Sequence, residues 1–285
     1  MGITNNNFEF LLDNYNLLEN KKIITIGRQQ KYFNLKNFKK NLIIKKILSS
    51  NNFEQDVYVD NIFKEISHHK TTSIDFSDER GQTNIKFNLN NLIPEKYHKK
   101  FDTLIDGGSI EHILDLKNCI QNYKNLIKKN GHLFIFTTAN NYFGHGFYQF
   151  SLEFFNKIFS IKNGFKVLDL VLCEHNFPGA ELSKQNKWFR PIKTSENKYK
   201  RFSIVNDKPI MIYALIRNTN HKKISFDFIQ SDYSKSKKNT GKKNGNLRKF
   251  LIKKIKMNKN IYDYVYGLKQ KKEFKLTNKT LFKRY

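Results

Sequence analysis

The sequence predicts an α/β fold: a mostly parallel sheet of seven strands, the last of them antiparallel, followed by a basic C-terminal tail. Three observations point there. Short apolar runs alternate with stretches of helical period, the pattern of strands joined by crossover helices. Several runs stop at Gly, Asp or Asn, and in an open parallel sheet the carboxyl ends of the strands border the ligand crevice. Beyond residue 220 the text turns to Lys, Asn, Ser and Gly, which separates a domain at 1–220 from a partly flexible extension at 221–285.

In chain order, KKIITIG (21–27) reads as a first strand closed by a glycine. Residues 36–50 carry apolar side chains at 38, 42, 43, 47 and 48, one face of a helix. The run DVYVDNIFKEIS (56–67) fits either helix or strand. TTSIDFSD (71–78) is a strand ending in acids, and TNIKFNLN (83–90) one ending in asparagines. FDTLID (101–106) has the continuous apolar character of a strand buried on both faces.

The stretch 112–129 comes next as a helix, with apolar residues at 113, 116, 120, 123, 126 and 127 and a stop at Lys128-Lys129-Asn130-Gly131. GHLFIFTTA (131–139) is a buried strand. SLEFFNKIFS (151–160) is a short helix that Ser151 can cap. FKVLDLVLCEH (165–175) and KPIMIYALIRN (208–218) are two late strands without a convincing helix between them.

Composition narrows the class. The net charge is +27, yet only seven of the 52 basic residues are Arg, and Lys, Asn, Ile, Phe and Tyr are abundant together, as the codon bias of an AT-rich genome produces. The charge is also uneven. Residues 221–285 hold 20 Lys/Arg and 4 Asp/Glu, a net of +16, against +11 for the first 220. Such a tail suits an anionic surface, RNA or membrane. Its segment 246–270 places apolar residues at 247, 251, 255, 261, 265 and 268 among lysines, a helix that could lie on such a surface or dock on the domain.

Cys119 and Cys173 show no paired spacing, and His68-His69, His132 and His175 no ligand spacing, so neither a disulfide framework nor a metal is expected. A start without a basic n-region and apolar core, and the absence of any apolar run of 18 residues, predict a soluble, cytoplasmic protein.

Three segments carry the chemistry: FDTLIDGGSIEHI (101–113), NGHLFIFTTANN (130–141) and GHGFYQFS (144–151). With the seven-strand arrangement around them they resemble the class I S-adenosylmethionine-dependent methyltransferases, most closely bacterial methyltransferase-like proteins with GGSxEH and NNxxGHGFYQFS segments. The resemblance spans about 21–218. It implies a Rossmann-like, doubly wound sheet and S-adenosylmethionine as cofactor.

It also implies roles. Gly27 and Arg28 stand where the first-strand turn approaches the cofactor, Asp75 where an acid accepts from the ribose hydroxyls, and Asn88 where a polar side chain meets the adenine. Asp60 is the alternative acid if 57–60 is the second strand. A single glycine stands where several are usual, and Asp75 follows Gly27 by 48 residues rather than the roughly 20 of a compact unit, which leaves room for extra helix at 34–70.

Asp106, Gly107 and Gly108 would line the crevice near the sulfonium, or Asp106 caps the next helix while the glycines turn the chain. Glu111 and His112 open that helix, with Glu111, Asn141 and Gln149 facing the acceptor. His145 is the candidate base and Tyr148 a positioning group, with His112 nearby, since an imidazole titrates near neutrality. The bland alternative is a loop packed by its aromatics.

The function so implied is methyl transfer to a small-molecule or sugar acceptor, the sugar arising from relatives in surface-polysaccharide biosynthesis. Two alternatives differ in class: a methyltransferase fold that binds without catalysing, and an RNA-binding or RNA-modifying factor acting through its tail.

Overall fold

The computed structural model describes residues 2–50, 53–77, 83–176, 187–191, 204–229 and 259–284. The chain divides into two compact units, residues 1–188 with 208–227, and residues 189–207 with 228–285. The division therefore falls at 227/228 rather than 220/221, and 189–207 groups with the C-terminal segment.

The first unit begins with β1 (Gly2–Thr4) and α1 (Asn5–Leu12), neither of which the periodicity above identifies. Thr4 caps α1 through a capping box with Asn7. Phe10 on that helix stands 5.9–6.3 Å, ring to ring, from Phe134, Phe136, Trp188 and Tyr213, which places it at the centre of one face of the core. The asparagine run that composition assigns to codon bias is thus buried structure: Asn5, Asn6 and Asn7 are 8%, 2% and 2% exposed.

β2 (Ile23–Ile26) ends at Gly27, and the chain turns directly into β3 (Gln30–Tyr32), which pairs in parallel with β1. The first-strand turn thus leads into a small two-stranded sheet before α2 (Leu42–Ser50) and α3 (Asp60–Ser67). The ambiguous run 56–67 is helical from Asp60. β4 (Thr72–Asp75), β5 (Ile85–Lys86) and β6 (Phe101–Gly107) follow.

α4 (Leu116–Leu126) is shorter than its periodicity suggests at both ends, because Asp115 caps its start and Ile127 is already extended. Its last carbonyls do not need a glycine turn. Asn125 O and Leu126 O accept from the backbone N–H of Lys99 and Lys100, at 2.7 and 3.1 Å, so the helix can stop there and Lys128–Asn130 join β7 (Ile127–Asn140).

α5 (Leu152–Ile158) is capped by Ser151 Oγ, which accepts from Phe154 N. β8 (Phe165–Glu174), β9 (Lys187–Pro191) and β10 (Ile210–Asn218) come next.

Within the first unit the sheet runs β8-β10-β7-β6-β2-β4-β5. The block from β7 to β5 is parallel, and β10 is antiparallel to both β7 and β8, so the sheet is mixed. The chain builds outward from β2 to β5, then returns to the other side of β2 as β6. That reversal is a topological switch point, which leaves a crevice at the carboxyl ends of the strands. α1, α2 and α3 share one core cluster with Ile105, Phe134, Phe136 and Tyr213. α4 packs against β6 and β7, and α5 against β8. Tyr123 on α4 reaches Asp106, whose side chain alternates with that of Ile105 and so lies on the opposite face.

In the second unit β9 pairs antiparallel with β11 (Phe282–Arg284), and α6 spans Lys259–Glu273. Ile261, Tyr264, Val265, Tyr266 and Leu268 on α6 are each about half exposed or more. The segment 230–258, including the amphipathic repeat before α6, lies outside the described residues. Among the described residues no helix is long and apolar enough to cross a membrane.

Candidate functional site

A cleft of roughly 280 Å³ opens at the carboxyl ends of β2, β4 and β5. Its walls are Ile26 and Gly27 from β2, Ile74, Asp75 and Phe76 from β4, and Phe87, Asn88, Leu89 and Asn90 after β5. Ser109, His112 and Ile113, from the turn after β6, close it. An apolar lining with a few convergent polar groups is the character of a small-molecule site. Gly27, Asp75, Asn88 and His112, four residues marked from the sequence, therefore share one wall system.

The backbone brings the first two together. Gly27 N donates to Ile74 O at 2.7 Å, and Arg28 N donates to Asp75 Oδ2 at 2.9 Å. Ser77 N and Oγ donate to Asp75 Oδ1 at 3.1 and 3.3 Å. A carboxylate has about four acceptor sites, so the orientation is set and one site remains for a ligand hydroxyl.

Arg28 contributes its main chain only. Its guanidinium lies 3.8 Å over the Tyr58 ring with Nε 3.4 Å from Asp60 Oδ2, and it does not line the cleft. Asp60 is accordingly a partner of Arg28 at the start of α3, not the acid after a strand. Asn88 Oδ1 accepts from Asn90 N and Nδ2 at 3.0 and 2.8 Å, which holds the turn after β5. Phe76, absent from the sequence reading, is 70% exposed at the rim. A bulky aromatic left open one residue after a strand-end acid is the signal that could have marked it.

The turn after β6 corrects several expectations. Asp106 is 0% exposed, and its carboxylate accepts from Ser109 N (2.6 Å), Ile110 N (3.1 Å) and Tyr123 Oη (2.6 Å). It ties the turn and does not face the cleft. Burial lifts its pKa to about 6, against the pull of those hydrogen bonds. Gly107 leaves no room for a transferred group either: the volume its missing side chain would take holds the Gln29 carboxamide and Ile3. Gln29 itself is 1% exposed. Gly108 adopts φ +97°, a conformation other residues avoid, beside Glu111.

Glu111 and His112 do not open α4. They lie in a single 3-10 turn, Ile110–His112, that points Glu111 inward and His112 outward. Glu111 is 1% exposed. Its Oε2 accepts from Thr137 Oγ1 at 2.7 Å, whereas Oε1 is buried with no hydrogen-bond partner. Burial first, then the neighbouring Asp106 charge, raise its pKa to about 8. Burial and the nearby His145 lower that of His112.

The loop after β7 folds back over this turn. Phe147 N and Tyr148 N both donate to Glu111 O, at 2.7 and 3.3 Å, and Gly146 packs so tightly there that a Cβ would stand 2.7 Å from the same carbonyl. This clamp sets His145 Nε2 at 3.8 Å from Glu111 Oε1 and the His145 ring 5.0 Å from that of His112.

The loop's other marked residues serve the loop itself. Tyr148 Oη donates to Leu114 O, Gln149 Oε1 accepts from Tyr142 N, and Asn141 Nδ2 donates to Lys208 O. None of the three lines the cleft.

Neither a protein-family profile nor a curated protein matches the chain. Among solved structures it is similar to 1,6-didemethyltoxoflavin-N1-methyltransferase of Burkholderia thailandensis, at 10% identity over 74% of this chain and 76% of that one, with a TM-score of 0.41. It is also similar to an S-adenosylmethionine-dependent methyltransferase of Mesorhizobium loti, at 11% identity over 72% and 95%, with a TM-score of 0.40. A SAM-dependent methyltransferase of Aquifex aeolicus matches at 14% identity over 73% and 88%, with a TM-score of 0.36.

Proposed function

We propose that the chain binds S-adenosylmethionine in the cleft and transfers its methyl group to a small-molecule acceptor. One observation carries the reading: Gly27, Asp75 and Asn88, each at the end of a different parallel strand, line a single apolar cleft beside the switch point. The residues fit the nucleoside half of such a cofactor. Asp75 keeps an acceptor site for a ribose hydroxyl, and Phe76 offers an exposed aromatic surface for a flat base. Asn88 would border the base edge. Gln29, filling the space above Gly107, directs the remainder of the ligand away from β6 and toward Ser109 and His112.

When bound, S-adenosylmethionine supplies an electrophilic methyl group on a sulfonium. The chain's own work is then to align an acceptor and remove its proton where that acceptor is a hydroxyl or an amine. His112 lines the cleft and is the imidazole nearest a bound acceptor, with His145 behind it. Tyr148, Gln149 and Asn141 hold the loop that carries His145.

The test is calorimetry of the full chain with S-adenosylhomocysteine. Wild type is expected to bind, and Asp75→Ala to weaken binding by about tenfold, the loss of roughly 1.4 kcal/mol that a charged hydrogen bond carries. Wild type that takes up no ligand, or an Asp75→Ala affinity equal to it, rejects the reading.

A further inference from the structure

We infer that Glu111, His112 and His145 form a binding site for one divalent first-row transition-metal ion. Their ligand atoms lie within 4.8 Å of one another. The sequence alone gives no such spacing, because His145 arrives from a loop 33 residues beyond His112.

The carboxylate is the informative member. Glu111 is 1% exposed, and its inner oxygen Oε2 is held by Thr137, while Oε1, buried and without a hydrogen-bond partner, points at His145 Nε2. An ionised carboxylate buried with half its acceptors idle is costly, and a cation relieves that cost. The Thr137 hydroxyl on the far oxygen is the kind of supporting contact that fixes the orientation of a metal-ligating carboxylate.

The glycines of the two motifs acquire a common purpose. At Gly108 a Cβ would come within 3.3 Å of Oε1, and at Gly146 it would strike the Glu111 carbonyl. Their absence of side chain lets the loop close onto Glu111 and keeps a Cβ from crowding Oε1. Ligand atoms sharing one metal at bonds of about 2.1 Å stand roughly 3 to 3.4 Å apart. His145 Nε2 therefore has to approach Oε1 by about half an ångström, and the widest pair of the three has to close by at most about 1.8 Å, on a loop with glycines on both sides.

Two imidazoles and one carboxylate suit zinc, cobalt, iron or manganese better than calcium or magnesium, which prefer all-oxygen sites. Three protein donors also leave coordination positions for another oxygen. Since His112 lines the cleft as well, an acceptor hydroxyl could take one of them; that role, unlike the metal site, rests on the reading under Proposed function.

The experiment uses the full-length, tag-free protein, stripped with a chelator and titrated with Co²⁺, read by its visible d–d absorption and by metal analysis after dialysis. One tightly held Co²⁺ per chain is expected, displaced by Zn²⁺. Glu111→Gln and His145→Ala should each weaken it at least tenfold, Thr137→Val by less, and His69→Ala, an exposed histidine elsewhere, should leave it unchanged. No bound Co²⁺ in wild type, or wild-type binding in both Glu111→Gln and His145→Ala, overturns the site. Asp75→Ala should keep its Co²⁺ while losing S-adenosylhomocysteine affinity, so failure of the metal site and failure of the cofactor reading are told apart.

Discussion

Asp106 near the end of β6 and Glu111 in the turn that follows lie five residues apart, and both are almost completely buried, yet their surroundings differ in kind. Asp106 sits in a nest of three donors from Ser109, Ile110 and Tyr123. Glu111 has one donor, Thr137, and an unpartnered oxygen turned toward His145. Burial raises both pKa values, to about 6 and about 8; Asp106 is held lower by its donors, and Glu111 is pushed further by the Asp106 charge. A buried acid whose acceptors are filled maintains the fold, whereas one with an idle acceptor aimed at titratable neighbours is poised for a ligand.

The sharpest way to break this contrast is to empty the nest. Asp106→Ala strands two backbone N–H groups and the Tyr123 hydroxyl in the interior, and should cost about 3–5 kcal/mol, read as a lower urea midpoint with an unchanged slope. A loss below about 1 kcal/mol would mean that the nest is not what holds the turn.

The next effect is a pH dependence. The folded pKa of Glu111 lies above its ordinary 4.5, so the folded state binds more protons between 4.5 and about 8. The stability this contributes is complete below pH 4.5 and is lost as pH rises through about 8. Asp106 acts in the same direction between 3.8 and about 6. Metal-free wild type should therefore lose a few kcal/mol between about pH 5 and about pH 8, and Glu111→Gln distinctly less, in urea unfolding at the two pH values. Equal losses in both proteins would refute the assignment of the titration to Glu111.

Gly108→Ala combines a strained φ with a close approach to Glu111 Oε1, and should destabilise by about 1–2 kcal/mol. Thermal unfolding beside Gly144→Ala separates the two causes, because position 144 has positive φ and open space. The smallest expected effect lies in the cleft. Phe76→Ala should weaken S-adenosylhomocysteine about fivefold, near 1 kcal/mol, in calorimetry without altering the urea midpoint.

Much of the scaffold was legible because its signals are local. Apolar runs of strand length, ended by Gly27, Asp75 and Asn88, mark three strand ends that one cleft joins. Ser151 caps α5 as its position before a helical stretch implies. Other features depended on partners remote in the chain. α4 stops early because Lys99 and Lys100 satisfy its carbonyls. The N-terminal segment escaped notice because its polar asparagines hide Phe8, Phe10 and Leu11, although Thr4 with Asn7 at the capping distance was a usable sign.

The sequence by itself determined the alternation of strands and helices and the polar residues at the strand ends. Periodicity and turn chemistry act over a few residues and need no partner from far along the chain, although such a partner can override them, as at the end of α4. Only the tertiary structure decided which carboxylate would be satisfied and which left idle, and that Gln29 would fill the space over Gly107. Burial and hydrogen-bond supply are properties of neighbours brought from far along the chain, here Thr137 and His145 set against Glu111.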